Sequence, residues 1–129
     1  MSTSLAVAVG QASSAGRKPR NQDFHGLRRA QGTALQSKGI ALAIADGISS
    51  SDVSHIASET AVSGFLEDYY CTSDAWSVRN AAQRVIAATN SWLYAQTRQS
   101  QYREDADRGY VCTFSAIVFK AASAYLFHV

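Results

Sequence analysis

The residues best suited to chemistry gather where an apolar run ends. In "ALAIADGISSSDVSHIASE" (41–59) an uncharged stretch reaches Asp46, and Gly47 follows with no side chain. A carboxylate beside an open backbone carbonyl suits a hard divalent cation such as Mg2+ or Mn2+, which prefers oxygen ligands and keeps several waters. Asp-Gly is also a common turn pair, and taken alone the turn is the plainer reading. A second carboxylate, Asp23 in "NQD", precedes an extended run and could reach the same place across a sheet. By itself it reads as an Asx-type turn or a cap. Arg17, Lys18 and Arg20 crowd the loop just before it. Cations there suit a phosphate group, with a guanidinium as a two-pronged clamp; alone they read as a solvated basic loop.

Elements must hold these residues. "LAVAVGQASS" (5–14) alternates small apolar residues and predicts a strand. "AGRKPRNQD" reads as a loop, "DFHGLRRAQ" as a short strand and "QGTALQSKG" as a turn region. "GIALAIAD" predicts the most buried strand, a rail that brings Asp46 to the sheet's end, where metal binding would offset desolvation of the carboxylate. From Val53 onward, Ile56, Ala57, Thr60, Ala61, Gly64 and Phe65 recur at steps of three and four, which is one face of a helix. Ser50 or Ser51 would cap it, and its small residues let it approach a partner closely. A second helix begins near Ser77, with Val78, Ala81, Ala82, Val85, Thr89, Trp92, Leu93 and Gln96 inward. After the polar loop "QSQYREDADRG", the runs "YVCTFSAIVFK" and "SAYLFHV" predict two strands joined by a tight turn near Ala121 to Ser123. Strands around a helix pair predict an α+β fold, with helices against one face of a largely antiparallel sheet.

Bulk properties narrow the function. A chain of 129 residues predicts a single domain, 1–129. It is 47% hydrophobic and 17% charged, which allows a packed core and argues against disorder. A net charge of +2 makes no case for nucleic acid or a membrane surface. No run approaches the roughly 18 apolar residues of a membrane span, and the N-terminus lacks the basic start of a secretory signal. Cys71 and Cys112 fit neither a metal spacing nor a disulfide framework; they read as buried reduced thiols of a cytoplasmic protein. His55 reads as a capping or surface residue, and His25 and His128 as strand residues without ligand spacing. Trp76, Trp92, Tyr94 and Tyr102 read as packing residues. The chain stops at Val129 inside what reads as a buried strand, which suggests a fragment.

Together "GRKPRNQD", "AIADGISSS", the helix pair and "YVCTFSAIVF" follow a recognisable order. The chain resembles the N-terminal half of the metal-dependent protein serine/threonine phosphatases (the type 2C, or PPM, family). That family has motifs of the form R-x-x-N-E-D and A-D-G-x-G and a later G-T-T strand. "GRKPRNQDFHG" and "ADGISSSDVSHIASETAV" look most like a bacterial subgroup in which the phosphatase domain precedes a protein kinase domain. The resemblance implies part of a β-sandwich of antiparallel sheets with a flanking antiparallel helix pair, incomplete at the C-terminus. It also implies hydrolysis of phosphoserine and phosphothreonine in proteins by a water shared between two metal ions about 4 Å apart. Carried over by position, Asp46 would bridge the metals and Gly47 would offer its carbonyl. Asp23 would belong to the first acidic pair, and Lys18 would stand at the phosphate-binding arginine, with Arg17 or Arg20 as substitutes. Gln22 stands where a glutamate is common, and Ile48 where some members carry a histidine. The family's later metal-binding aspartates would fall beyond Val129. This chain alone is therefore expected to bind Mn2+ or Mg2+ weakly and to turn over little phosphoprotein. Half a sandwich would leave an unpaired edge and an uncovered apolar face, so a homodimer is expected. The alternative is a regulatory or binding module that keeps the scaffold without the chemistry.

Overall fold

The computed structural model describes residues 5–129. Four strands form one antiparallel sheet in chain order: β1 (Asp23–Arg28), β2 (Ile40–Gly47), β3 (Cys112–Lys120) and β4 (Ser123–His128). Three helices complete the fold: α1 (Gly32–Lys38), α2 (Ser54–Asp68) and α3 (Val78–Arg98). The α+β class expected from the sequence is the one observed, with the helix layer on one face of the sheet.

The alternation along β2 decides which face is which. Ala41, Ala43, Ala45 and Gly47 are buried, whereas Ile44 and Asp46 are exposed. In a strand successive side chains point to opposite faces, so the small residues face the helices and Asp46 faces away. That small-residue surface lets α2 lie across β1 and β2. The core between the layers holds Phe65, Tyr69, Val62, Phe114, Val118 and Val85. The Phe65 ring stacks on Tyr69 at 5.6 Å and meets Phe114 at 5.3 Å. On the opposite face Ile44 and Leu126 stay exposed, and Val9 to Ala12 wall a cleft of about 390 Å³ against β1, β2 and β3.

Several expectations need correction. Residues 5–14 form no strand. Leu5, Val7 and Val9 are half-buried in alternation, as the pattern demands, but a strand needs a partner edge, and Val9 to Ala12 run over the sheet's open face. The supposed turn at 31–39 contains α1, which ends where Gly39 takes φ 82° and donates its N–H to Ala34 and Leu35 carbonyls. Tertiary contacts hold this short helix: Tyr69 Oη donates to the Lys38 carbonyl at 2.7 Å, and Lys38 Nζ donates to Thr72 Oγ1 and the Ser73 carbonyl. The first long helix is capped by neither Ser50 nor Ser51; Val53 occupies that position without a side-chain bond. Its buried face runs through Ser54, Ala57, Ser58, Ala61, Val62 and Phe65, leaving Ile56 outside. In α3 the Ser77 cap forms as predicted, its Oγ accepting from the Asn80 N–H, but Trp92 is exposed, as is Tyr94. Both thiols are free, with Cys71 exposed and Cys112 half-buried rather than both buried. The turn after β3 is tight, as expected, with Ala121 at φ 53°.

Candidate functional site

Register brings the two candidate carboxylates together. Asp23, the first residue of β1, is the cross-strand partner of Asp46. Paired residues of an antiparallel ladder share a face, so both carboxylates stand on the side away from the helices. Both are exposed. At Asp46 the expected cost of burial gives way to a cost of like charge. Hydrogen bonding to Asp46 raises the Asp23 carboxyl above its ordinary range, helped by desolvation and by the charge on Asp46, while Lys18 pulls the other way. Two facing carboxylates repel, which disfavours a second negative charge on the pair.

The basic loop divides. Lys18 lies near this pair, and its Nζ donates to Ser49 Oγ at 3.1 Å. Arg20 turns to α2, where its Nη1 donates to His55 Nε2 at 2.7 Å. Burial, and then the Arg20 charge, lower the affinity of His55 for a proton, so the ring accepts in its neutral form. Arg17 is exposed in the turn. Lys18, Arg20, Gln22, Ser49, Ser51 and Asp52 line an open cleft of about 510 Å³ beside the strand ends.

Behind the carboxylates the loop after β2 is tied down by residues that carried little weight in the sequence. Gln22 Nε2 lies 3.0 Å from the Ile48 carbonyl, the Ser51 carbonyl and Ser54 Oγ. The Gly47 N–H donates to the Gln22 carbonyl at 3.1 Å. Ser54 is fully buried and its Oγ donates to the Ile48 carbonyl. Ser51 Oγ donates to the Gly109 carbonyl at 2.6 Å and accepts from the Val53 N–H. The run of serines after Gly47 was the available signal: short hydroxyls following Asp-Gly serve backbone groups of a loop.

A family model for protein phosphatase 2C matches residues 10–129. The chain belongs to the protein phosphatase 2C family. No curated protein and no solved structure matches it. Phosphatases of this family are metal-dependent, and the donor set of this chain fits a hard cation in part. Two facing carboxylates and the Gly47 carbonyl are oxygen donors at one strand end. Among the described residues no group of three or more His, Cys, Asp or Glu side chains is gathered as for a metal ion. No helix among them is long and apolar enough to cross a membrane.

Proposed function

We propose that this chain contributes the Asp23–Asp46 carboxylate pair to a protein serine/threonine phosphatase centre that uses Mn2+ or Mg2+ to hydrolyse phosphoserine and phosphothreonine in proteins. The observation that supports it is the register placing two carboxylates opposite each other on an exposed face, in a chain of a metal-dependent phosphatase family. Like charges directly opposite in a sheet are destabilising, and a dication between them reverses that sign. When bound, such ions supply a nucleophile from water at neutral pH and offset charge on the phosphoryl oxygens. Asp46 and Asp23 hold cations on the exposed face, and Gly47 adds a carbonyl oxygen. Lys18 offers its ammonium to a phosphoryl oxygen from the neighbouring loop, with Arg17 in reserve. Arg20 joins only by leaving His55.

Two carboxylates carry too little charge to hold two dications tightly. Residues 1–129 are therefore read as the N-terminal portion of one catalytic domain, with further anionic ligands supplied from outside them. Alone they bind Mn2+ weakly and turn over little. The wording of the two motifs favours the bacterial group in which a kinase domain follows in the same polypeptide. The free thiols suit a reducing cytoplasm. The exposed Ile44 and Leu126 suit a second copy of the chain laid against the open face.

The test is Mn2+ binding to the chain and to Asp46→Ala, with hydrolysis of an aryl phosphate followed in parallel. Weak binding lost in Asp46→Ala is the expected result. Binding unchanged by that substitution overturns the site, and a strong Mn2+-dependent rate from this chain overturns the need for further ligands. The second reading, a scaffold without chemistry, is favoured by the lack of a three-ligand cluster among the described residues. It predicts that Asp46→Ala changes nothing.

A further inference from the structure

We infer that Gln22 and Ser54 are positioning residues that set the carboxylate of Asp46 for its cation, and that Gln22 does so as a hydrogen-bond donor rather than as a member of the acidic pair. This rests on the proposed metal site at Asp23 and Asp46.

Three atoms face the Gln22 amide. Two are backbone carbonyls, Ile48 O and Ser51 O, and the third is Ser54 Oγ, each at 3.0 Å. Ser54 Oγ spends its own proton on Ile48 O at 3.0 Å, so it meets the amide as an acceptor. Everything around Gln22 Nε2 therefore accepts, and only a donor fits. A carboxylate has no proton to give, and a glutamate would turn lone pairs toward lone pairs. The same residue is bound through its backbone, because its carbonyl accepts the Gly47 N–H at 3.1 Å. Gln22 thus joins the start of β1 to both ends of the loop that leaves β2. Asp23 follows it in the chain and Asp46 precedes Gly47, so the two candidate ligands lie one residue from the two ends of this tie.

Ser54 closes the tie from the helix side. A β-carbon at Gly47 would stand 2.7 Å from Ser54 Oγ and 2.8 Å from the Gln22 carbonyl. The space that a side chain at 47 would fill is already taken by these two residues. Loop 48–53 cannot shift without breaking a bond to Gln22 or Ser54, and Gly47 cannot rotate into that space without meeting both.

The sign of one substitution separates donor from ligand. In Gln22→Glu a third carboxylate is added beside Asp23, so a ligand role predicts tighter Mn2+ binding. The positioning role predicts weaker binding, because the loop behind Asp46 is released. Removing groups that orient metal ligands typically costs about 10–100-fold in affinity. The readout is the Mn2+ concentration that half-broadens the backbone amide signals of Asp23 and Asp46 in an NMR titration of the whole chain. We expect that concentration to rise about tenfold or more in both Gln22→Glu and Gln22→Met, with Ser54→Ala between them and the parent. Metal-free thermal unfolding accompanies each variant. Where Gln22→Glu loses its fold, the uncharged Gln22→Met decides on the same criterion. Tighter binding in Gln22→Glu, or unchanged binding in Gln22→Met, overturns the inference. Broadening that survives Asp46→Ala instead overturns the metal site beneath it, and the two failures are told apart by which variant leaves the titration unmoved.

Discussion

Gly47→Ala tests how tightly the loop behind Asp46 is held. The added methyl meets Ser54 Oγ at 2.7 Å, the Gln22 carbonyl at 2.8 Å and Ser54 Cβ at 2.8 Å. Ser54 has no room to retreat, being fully buried at the first turn of α2, and the Gln22 carbonyl is backbone in the strand entry. Forcing a methylene into a packed site costs about 1–3 kcal/mol. Pushing Ser54 off the Ile48 carbonyl loses a further hydrogen bond of about 1 kcal/mol. The sum is a destabilisation of roughly 2–4 kcal/mol, or about 10 °C in Tm for a chain of this size. Gly64→Ala is the control. It lies inside α2 with its nearest neighbour, Thr89 Oγ1, 3.9 Å from the added carbon. There the change should stabilise by about 1 kcal/mol through helix propensity alone. Thermal unfolding followed by far-UV circular dichroism measures both. If Gly47→Ala melts within about 0.5 kcal/mol of the parent, as a bland surface change does, the tie between Gln22, Gly47 and Ser54 is not built as described.

Other consequences are open to the same kind of measurement. Lys38 is 2% exposed and donates to Thr72 Oγ1 at 2.6 Å and the Ser73 carbonyl at 2.8 Å; Lys38→Met should cost about 2 kcal/mol in denaturant unfolding, since it removes two hydrogen bonds from a charged donor that tie α1 to the segment after α2. Burial pushes the Tyr70 phenol up to about 12 and raises that of Tyr69 as well. The folded chain therefore keeps protons that the unfolded chain releases from pH 10, and stability that is full below that point falls as pH rises toward 12. Exposed tyrosines such as Tyr94 ionise without unfolding, so an alkaline titration should show only the last part of the phenolate absorbance appearing together with unfolding, and phenolate absorbance that is complete before unfolding would contradict the burial. Ala121 holds φ 53° at the first loop position of the β3–β4 hairpin, a place where such turns favour glycine. Ala121→Gly should raise stability by about 0.5–1 kcal/mol, and a lower melting temperature would mean that the turn has another shape.

What the sequence disclosed follows the physics of periodicity. β2, β3, β4 and α3 were legible because their apolar residues repeat with the period of the element, and Ser77 marked the start of α3 with a side chain that caps. Failures came where another residue completes the element. The run from Leu5 to Gly10 has the alternation of a strand and its half-burial, but pairing is a property of two edges and not of one run. Helix α1 owes its place to Tyr69, Thr72 and Ser73, which a reading of residues 31–39 alone does not contain. The inward face of α2 was misplaced because buried serines begin it: hydropathy skips Ser54 and Ser58, and only the loop that Ser54 serves explains its position. At the site, Asp23 and Asp46 stood out as ionisable groups at strand ends. Gln22 registered only as a missing carboxylate, although its amide organises the loop.

That difference follows from how β2 is built. Its helix-facing side is Ala41, Ala43, Ala45 and Gly47, small enough for α2 to lie close, and the start of α2 then falls against Gly47. The same closeness that packs the core brings Ser54 to the loop, and Gln22 reaches Ser54 because the first bond of the β1–β2 pairing region joins its carbonyl to Gly47. The opposite side of the strand is left free of that packing and carries Asp46 beside Asp23. A strand that alternates small and exposed residues thus does two tasks at once. One face fixes the loop with neutral hydrogen bonds, and the other gathers negative charge where a cation can reach it. Moving the register of β1 by one residue would carry Asp23 to the helix side, where no charge partner waits, and would separate the pair. The bonds of Gln22 oppose that slip, so the neutral residue beside Asp23 protects the charge arrangement that it does not itself join.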